Sequence, residues 1–239
     1  MKTMVVGASK GLGRALMEGL GGVGDTLIGV SRSRPGQLVS SSGAEIRWVE
    51  ADLGVPDHAT QVIEQAVAHE GLDTLIYNLG IWEARAFDPA YSFLIDEDTQ
   101  LEAIVSCNIT APLLLIKRLL PVLLKSAQPR IILTGSTSGL PQSGRPEVAF
   151  GASKFALRGI ADALREGYRQ QRLGVTCLNL GYLNTEDPLS TSRTQAEERG
   201  EGQLIPVHDV VQVVRMVLSL SGASFVKELT LPALLDERF

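Results

Sequence analysis

Short β-branched runs alternate with longer stretches whose apolar positions recur every three or four residues, and the alternation persists from one end of the chain to the other. The short runs suit strands and the longer periodic stretches suit helices that bury one face, so the order reads strand, helix, strand throughout. Strands are predicted at residues 3–7, 26–31, 45–50, 74–78, 130–135, 175–180 and 225–231. Several are apolar almost without interruption, as strands covered by helices on both faces must be. Helices are predicted to start near Gly11, Pro56, Asp98, Glu147 and His208. The one from Asp98, which includes Ser106, is long and carries Pro112 and Pro121. Each proline removes an intrahelical hydrogen bond, so a kink is expected near the first and an end near the second.

Right-handed crossovers between successive parallel strands give the simplest assembly of these pieces. That assembly is one α/β domain over residues 1–239, a doubly wound, mostly parallel seven-stranded sheet with helices on both faces. Its ligand is expected beyond the carboxyl ends of the strands. Residues 186–206 are polar, carry several charges and show weaker periodicity than their neighbours. They are expected to form a mobile loop or short helix over the substrate.

Composition narrows the function without naming it. With 44% hydrophobic and 21% charged residues, the 239-residue chain has ordinary globular composition and enough apolar surface for a sizeable core. A net charge of -5 and the lack of any dense Lys/Arg tract argue against nucleic acid or an anionic membrane as partner, leaving small-molecule chemistry. Met1 leads directly into Lys2-Thr3-Met4-Val5 with no signal-peptide pattern, so a cytoplasmic location is expected. Cys107 and Cys177 lie in apolar stretches and read as core thiols rather than a disulfide. His58, His69 and His208 are scattered, and no metal site is expected.

Immediately after the first strand comes Gly7-Ala8-Ser9-Lys10-Gly11-Leu12-Gly13, followed by the helical Arg14-Ala15-Leu16-Met17. Gly7 permits a tight turn, Gly11 lets backbone approach a pyrophosphate, and Gly13 lets the helix pack close to the strand. The helix N-terminus adds free N–H groups and the positive end of a dipole. A glycine-rich turn alone is a weak signal, and its place between strand and helix gives it meaning. This Gly-x-x-x-Gly-x-Gly spacing resembles the short-chain dehydrogenase/reductase family, and the resemblance continues through most of the chain. It implies a Rossmann-type fold that binds a nicotinamide dinucleotide through Gly7, Ser9, Lys10, Gly11, Leu12 and Gly13.

Sites selective for NAD usually end their second strand in an acid that holds the 2′-hydroxyl. This chain ends it Val30-Ser31-Arg32. Arg32, with Ser31 beside it, offers a planar cation where a 2′-phosphate would lie, and Lys10 offers a second charge nearby, so NADP(H) is the expected cofactor. The resemblance also assigns Asp52 and Leu53 to the adenine. Asn78 and Gly80 match part of the family's Asn-Asn-Ala-Gly motif, from which Tyr77 and Leu79 depart. In Asn179-Leu180-Gly181-Tyr182-Leu183-Asn184-Thr185, which resembles the family's Pro-Gly segment with Leu180 for Pro, the Leu183 backbone and Thr185 hydroxyl are the expected carboxamide contacts.

The family's active centre combines an Asn on the long helix, a Ser after the fifth strand, and a Tyr and a Lys four residues apart on the next helix. Asn108, Ser136 and Lys154 match, whereas Phe150 stands where the family has Tyr. A spacing of four puts residues 150 and 154 on one helical face. With Tyr, the Lys ammonium would lower the phenol pKa from ~10 and prepare it to exchange a proton. Phe150 packs and shapes the site but carries no proton. General acid–base catalysis is worth ~10²–10⁴ in rate, so ordinary ketone reduction is expected to suffer while cofactor binding survives.

Ser136 is left to donate to a substrate oxygen, Lys154 to hold the nicotinamide ribose and support the same charge, and Asn108 to position a relaying water. Tyr182 reads as a packing residue sooner than a substitute acid, and Tyr91 is a weaker candidate still. The leading expectation is an NADP(H)-dependent oxidoreductase acting on a small carbonyl compound or, in better accord with Phe150, a conjugated carbon–carbon double bond. Two alternatives stay open: a low-turnover NADP(H)-binding or sensing protein, and a ketoreductase carrying a deliberate Tyr→Phe change. The resemblance further implies a homodimer or homotetramer.

Overall fold

The computed structural model describes residues 1–237; residues 238 and 239, which the expected domain includes, lie outside the described residues. The first half of the chain runs β1 (Lys2–Val6), α1 (Gly11–Gly19), β2 (Thr26–Ser31), β3 (Glu45–Glu50), α2 (Pro56–Val67) and β4 (Thr74–Tyr77). The second runs α3 (Asp98–Val105), α4 (Ala111–Leu123), β5 (Arg130–Thr134), α5 (Val148–Gly167) and β6 (Gly174–Leu180). It continues with β7 (Leu183–Asn184), α6 (Arg193–Gly200), β8 (Ile205–Pro206), α7 (Val207–Ser219) and β9 (Glu228–Leu231). The main sheet has the order β3-β2-β1-β4-β5-β6-β9, and every pairing in it is parallel. The order reverses between β1 and β4, which opens a crevice at the carboxyl ends of those two strands.

Successive side chains of a strand point to opposite faces, so each central strand feeds two cores. Met4, Val6, Leu75, Tyr77, Ile131 and Leu133 pack with α2, α4 and α5. Val5, Ile76 and Ile132 face the other way, against α1 and α7. Helices begin where the periodicity placed them, within one residue at Val148 and Val207. The last strand is shorter than residues 225–231. The carbonyls of Val226 and Lys227 are instead taken by the Thr176 hydroxyl, the Cys177 N–H and Arg165, which leaves no ladder until Glu228.

The long helical run Asp98–Leu123 absorbs Pro112 through a π turn at Ser106–Thr110. There the Ala111 N–H donates to the Ser106 carbonyl, and the proline supplies no N–H one residue later. The Cys107 carbonyl is met by the buried Tyr77 hydroxyl at 2.8 Å, so a tyrosine at the end of β4 compensates for the proline. Pro121 lies inside α4, which ends two residues later. This run is long and apolar enough to cross a membrane, yet Ile104, Ala111, Leu115, Leu119 and Leu123 are buried in the core. Residues 186–206 include α6, whose Ser192 cap accepts from the Gln195 N–H, and β8, which pairs with β7. The buried Asp187 ties them together through Asn184 and an ion pair with Arg199.

Two glycines separate close packing from open space. A Cβ on Gly13 would lie 1.9 Å from the Gly7 carbonyl oxygen, whereas one on Gly159, exposed within α5, would meet nothing within 4 Å. Gly13→Ala is expected to cost roughly 1–3 kcal/mol and to lower the melting temperature by several degrees. Gly159→Ala is expected to raise stability by ~0.5–1 kcal/mol through helix propensity. Calorimetric melting of both variants checks the contrast, and similar shifts in the two would sink it.

Candidate active site

The glycine turn grows directly from β1. Gly7 adopts φ +80° and Gly11 φ +53°, values that L side chains rarely take. The N–H groups of Gly7 and Ala8 both donate to the Val30 carbonyl, which fixes the turn to the end of β2. Lys10 precedes α1 without a side-chain cap, so the first N–H groups of the helix have no side-chain acceptor there. Gly11 faces the Thr185 side chain, where an added Cβ would approach within 3.3 Å. Ser9 lies within the same turn, and Leu12 is buried behind it. At the neighbouring strand ends stand Ser31 and Arg32 after β2, Asp52 and the buried Leu53 after β3, and Asn78 after β4. Lys10 and Arg32 are exposed, and neither forms an ion pair among the described residues.

A cavity of about 430 Å³ opens at the carboxyl ends of β4, β5 and β6. Asn78, Gly80, Ser136, Phe150, Lys154, Leu183 and Thr185 line it together, although they come from four separate segments. Asp52, Arg32, Lys10 and the remaining turn residues do not reach it and extend along the sheet toward β3. Ser136 ends an extended stretch, and its hydroxyl oxygen accepts from the Ser138 N–H at 3.1 Å, which leaves its own hydrogen to donate. The π turn aims Asn108 back at the loop after β4. Its amide oxygen accepts from the Ile81 N–H at 2.9 Å, while its nitrogen donates to the Ile81 carbonyl and to Ser153. Asn108 therefore clamps the strip of backbone beside Gly80, and its amide hydrogens are committed to protein partners.

Lys154 is buried, donates from Nζ to the Thr134 carbonyl at 2.9 Å and lies 5.3 Å from the centre of the Phe150 ring. Burial holds its ammonium down to about 8, against an ordinary 10.5. Burial pushes the Cys107 and Cys177 thiols up to about 11, consistent with two neutral core thiols. Tyr91 is absent from the cavity lining and donates its hydroxyl to Asp96 at 2.6 Å.

Several cavity residues were not legible as such. Trp82 and Phe87 come from the loop after β4, and Arg145 from the loop before α5. Tyr182 also lines the cavity; its phenol oxygen accepts from Arg145 at 2.6 Å, and Arg145 pairs with Asp236 at 2.9 Å. Glu83 is wholly buried and accepts from the Ala149 and Phe150 N–H groups at the start of α5. Glu83, the sixth residue after β4, carries nothing in the sequence that sets it apart from a surface carboxylate.

A short chain dehydrogenase family model matches residues 2–196. An uncharacterized oxidoreductase of Escherichia coli, YciK, is 29% identical over 82% of this chain and 79% of its own length. An NADPH-dependent pterin aldehyde reductase of Arabidopsis thaliana is 28% identical over 77% and 75%, respectively. Among solved structures, a metagenomic short-chain oxidoreductase in complex with NADP shares the fold, with a TM-score of 0.74 and 21% identity over 97% of this chain and 96% of that one.

The depressed Lys154 pKa has a sign that can be checked in the cofactor-free protein. Between about 8 and 10.5 the unfolded chain holds a proton that the folded chain has lost. Folding stability contributed by Lys154 therefore rises with pH through that window, whereas below it both states are charged and the full burial cost applies. The difference in unfolding free energy between the parent and Lys154→Met is expected to move in the parent's favour as pH increases through about 8. Denaturant titrations across that range read it, and a flat difference would contradict a buried, titrating ammonium.

Proposed function

Because the chain belongs to the short chain dehydrogenase family and is an oxidoreductase enzyme, we propose that it moves hydride between NADP(H) and a small conjugated carbonyl compound, with Phe150 at the position of the usual catalytic Tyr. The observation that carries this reading is one cavity in which Ser136 and Lys154 accompany a ring without a hydroxyl. When bound, the cofactor supplies or takes the hydride at its nicotinamide carbon.

The chain's own residues fit such a ligand. The turn at Gly7 and Gly11 brings backbone close without a side chain, and the α1 N-terminus, lacking a side-chain cap, offers N–H donors and a positive dipole end to the pyrophosphate. Gly7, Ser9, Gly11, Leu12 and Gly13 form this cradle, and Asp52, Leu53, Asn78 and Gly80 continue it along the strand ends. Arg32 with Ser31, assisted by Lys10, meets the 2′-phosphate, and Leu183 and Thr185 hold the carboxamide. An NADPH-dependent relative and an NADP-bound structural neighbour support the choice of cofactor.

At the reacting end, the Ser136 hydroxyl donates to the substrate oxygen, and the Lys154 ammonium stabilises negative charge that builds there. Asn108 positions the backbone at Gly80 and Ile81 that lines this end. Addition of hydride to the far carbon of a conjugated double bond asks no more of these groups, because the other carbon takes its proton from solvent. Reduction of an isolated ketone needs a proton on oxygen, which Phe150 does not hold. Homodimer or homotetramer assembly belongs to the same reading, with exposed Val105, Leu113 and Phe155 on the long helices supplying apolar surface.

Two experiments test this. With NADPH and matched enone and ketone panels, the parent is expected to favour enones, and Phe150→Tyr to raise ketone reduction by ~10² or more. A parent inert on every enone, restored only on ketones by the Tyr, would instead support a damaged ketoreductase. Arg32→Ala is expected to weaken NADPH at least ~10-fold more than NADH, in keeping with loss of a charge-assisted pair. Equal weakening in binding titrations would remove Arg32 from the 2′-phosphate.

A further inference from the structure

We propose that the substrate carries a planar aromatic group, gripped by the rings of Trp82, Phe87, Phe150 and Tyr182; this rests on the functional reading above and names the class of molecule it acts on. The chain has two Trp, four Tyr and six Phe. Four of these rings, delivered by the loop after β4, the first turn of α5 and the loop after β6, line the one cavity that holds Ser136 and Lys154. Trp82 stands 5.8 Å from Phe87 and 6.2 Å from Phe150, and Phe87 stands 6.4 Å from Phe150 and 5.4 Å from Tyr182, centre to centre. All four pairs meet edge to face, with interplanar angles of 61° to 87°. Rings set nearly at right angles offer a flat guest both faces to stack on and edges to abut.

The fold bears a cost to aim these rings. Phe87 has φ +71°, a region that a bulky side chain avoids, and its N–H is held at 2.9 Å by the buried carboxylate of Glu147. Glu83, also buried, holds the Phe150 N–H at 3.0 Å. Tyr182 is held by Arg145, whose guanidinium lies 4.3 Å over the ring while Asp236 anchors it from behind. Trp82 is nonetheless 53% exposed and Phe87 39%, so apolar ring surface remains uncovered by protein at the cavity. A volume of about 430 Å³ is near the lower end for small-molecule sites, and shared with the nicotinamide, whose proposed contacts Leu183 and Thr185 line the same cavity, it suits a guest with a single ring. In this arrangement Phe150 is a wall of the substrate box, which accounts for a ring where no proton donor is retained.

The test uses a matched pair of enones, 4-phenyl-3-buten-2-one and 4-cyclohexyl-3-buten-2-one, on the full chain. Calorimetry measures binding of each to the NADP⁺-loaded protein, and initial rates with NADPH give kcat/KM. The phenyl compound is expected to bind about tenfold tighter, as several edge-to-face contacts together allow. Trp82→Ala, at a half-exposed position that should leave the fold intact, is expected to erase most of that preference without changing NADPH affinity. Equal binding of the pair, or no binding of either with NADPH affinity intact, overturns the aromatic box. Preferential binding of the phenyl compound without turnover upholds the box and sinks the double-bond reading. Turnover of both compounds with no preference does the reverse.

Discussion

The contact between Gly13 and the Gly7 carbonyl leaves no room for even a methyl group, and the functional end of the molecule follows from it. Close approach of α1 to β1 points the helix N-terminus at the crevice where the strand order reverses. The Val30 carbonyl then binds two N–H groups of the turn, so the end of β2, with Ser31 and Arg32, is registered against the same helix. The opposite wall is registered independently, through Gly11 against Thr185 and Gly80 against Lys154. Close packing at these glycines and the two hydrogen bonds to the Val30 carbonyl together hold the crevice.

Polar satisfaction of buried groups sets its shape. Pro112 cannot donate to the π turn before it, and Tyr77 supplies the missing hydrogen to Cys107. The same turn carries Asn108, whose amide holds the Ile81 backbone on both its donor and acceptor sides. Downstream of that clamp, the loop presents Trp82 and places Glu83 at the start of α5, where it binds the N–H groups of Ala149 and Phe150. One irregularity in a long core helix is thus transmitted through hydrogen bonds to the ring at position 150. Lys154, one turn further along, is buried, and that loss of solvent is why its ammonium is easier to discharge than an ordinary lysine's.

Membership of an oxidoreductase family and absence of a hydroxyl at position 150 pull in different directions only if the reaction must protonate oxygen. In the proposed reading, a site that stabilises charge on oxygen and leaves carbon to solvent would reconcile them and make the aromatic residue a wall instead of a defect. Glu83 and Glu147, both buried, bind backbone N–H groups at Ala149, Phe150 and Phe87, so their carboxylates orient the rings at the cavity.

Periodicity and turn chemistry made the strand and helix order legible, because local backbone preferences and a two-faced sheet act over a few residues at a time. The shared cavity positions of Ser136, Phe150 and Lys154, and the turn at Gly7 and Gly11, were legible for the same reason, since each sits at a short, ordered distance from a strand end or along one helical face. A boundary failed before Glu228, where side chains take carbonyls from the ladder, whereas the irregularity expected near Pro112 is there as a π turn that a distant tyrosine makes tolerable. The cavity's aromatic wall was not legible. Trp82, Phe87, Arg145 and Tyr182 lie in loops without periodicity, and Asp236 is 91 residues from the arginine it anchors. The sequence alone therefore determined the fold and the family, whereas only the tertiary structure decided which loop residues surround the cavity. That division has a physical cause: repeating backbone geometry writes itself into spacing, but contacts between irregular loops depend on where the whole sheet carries them.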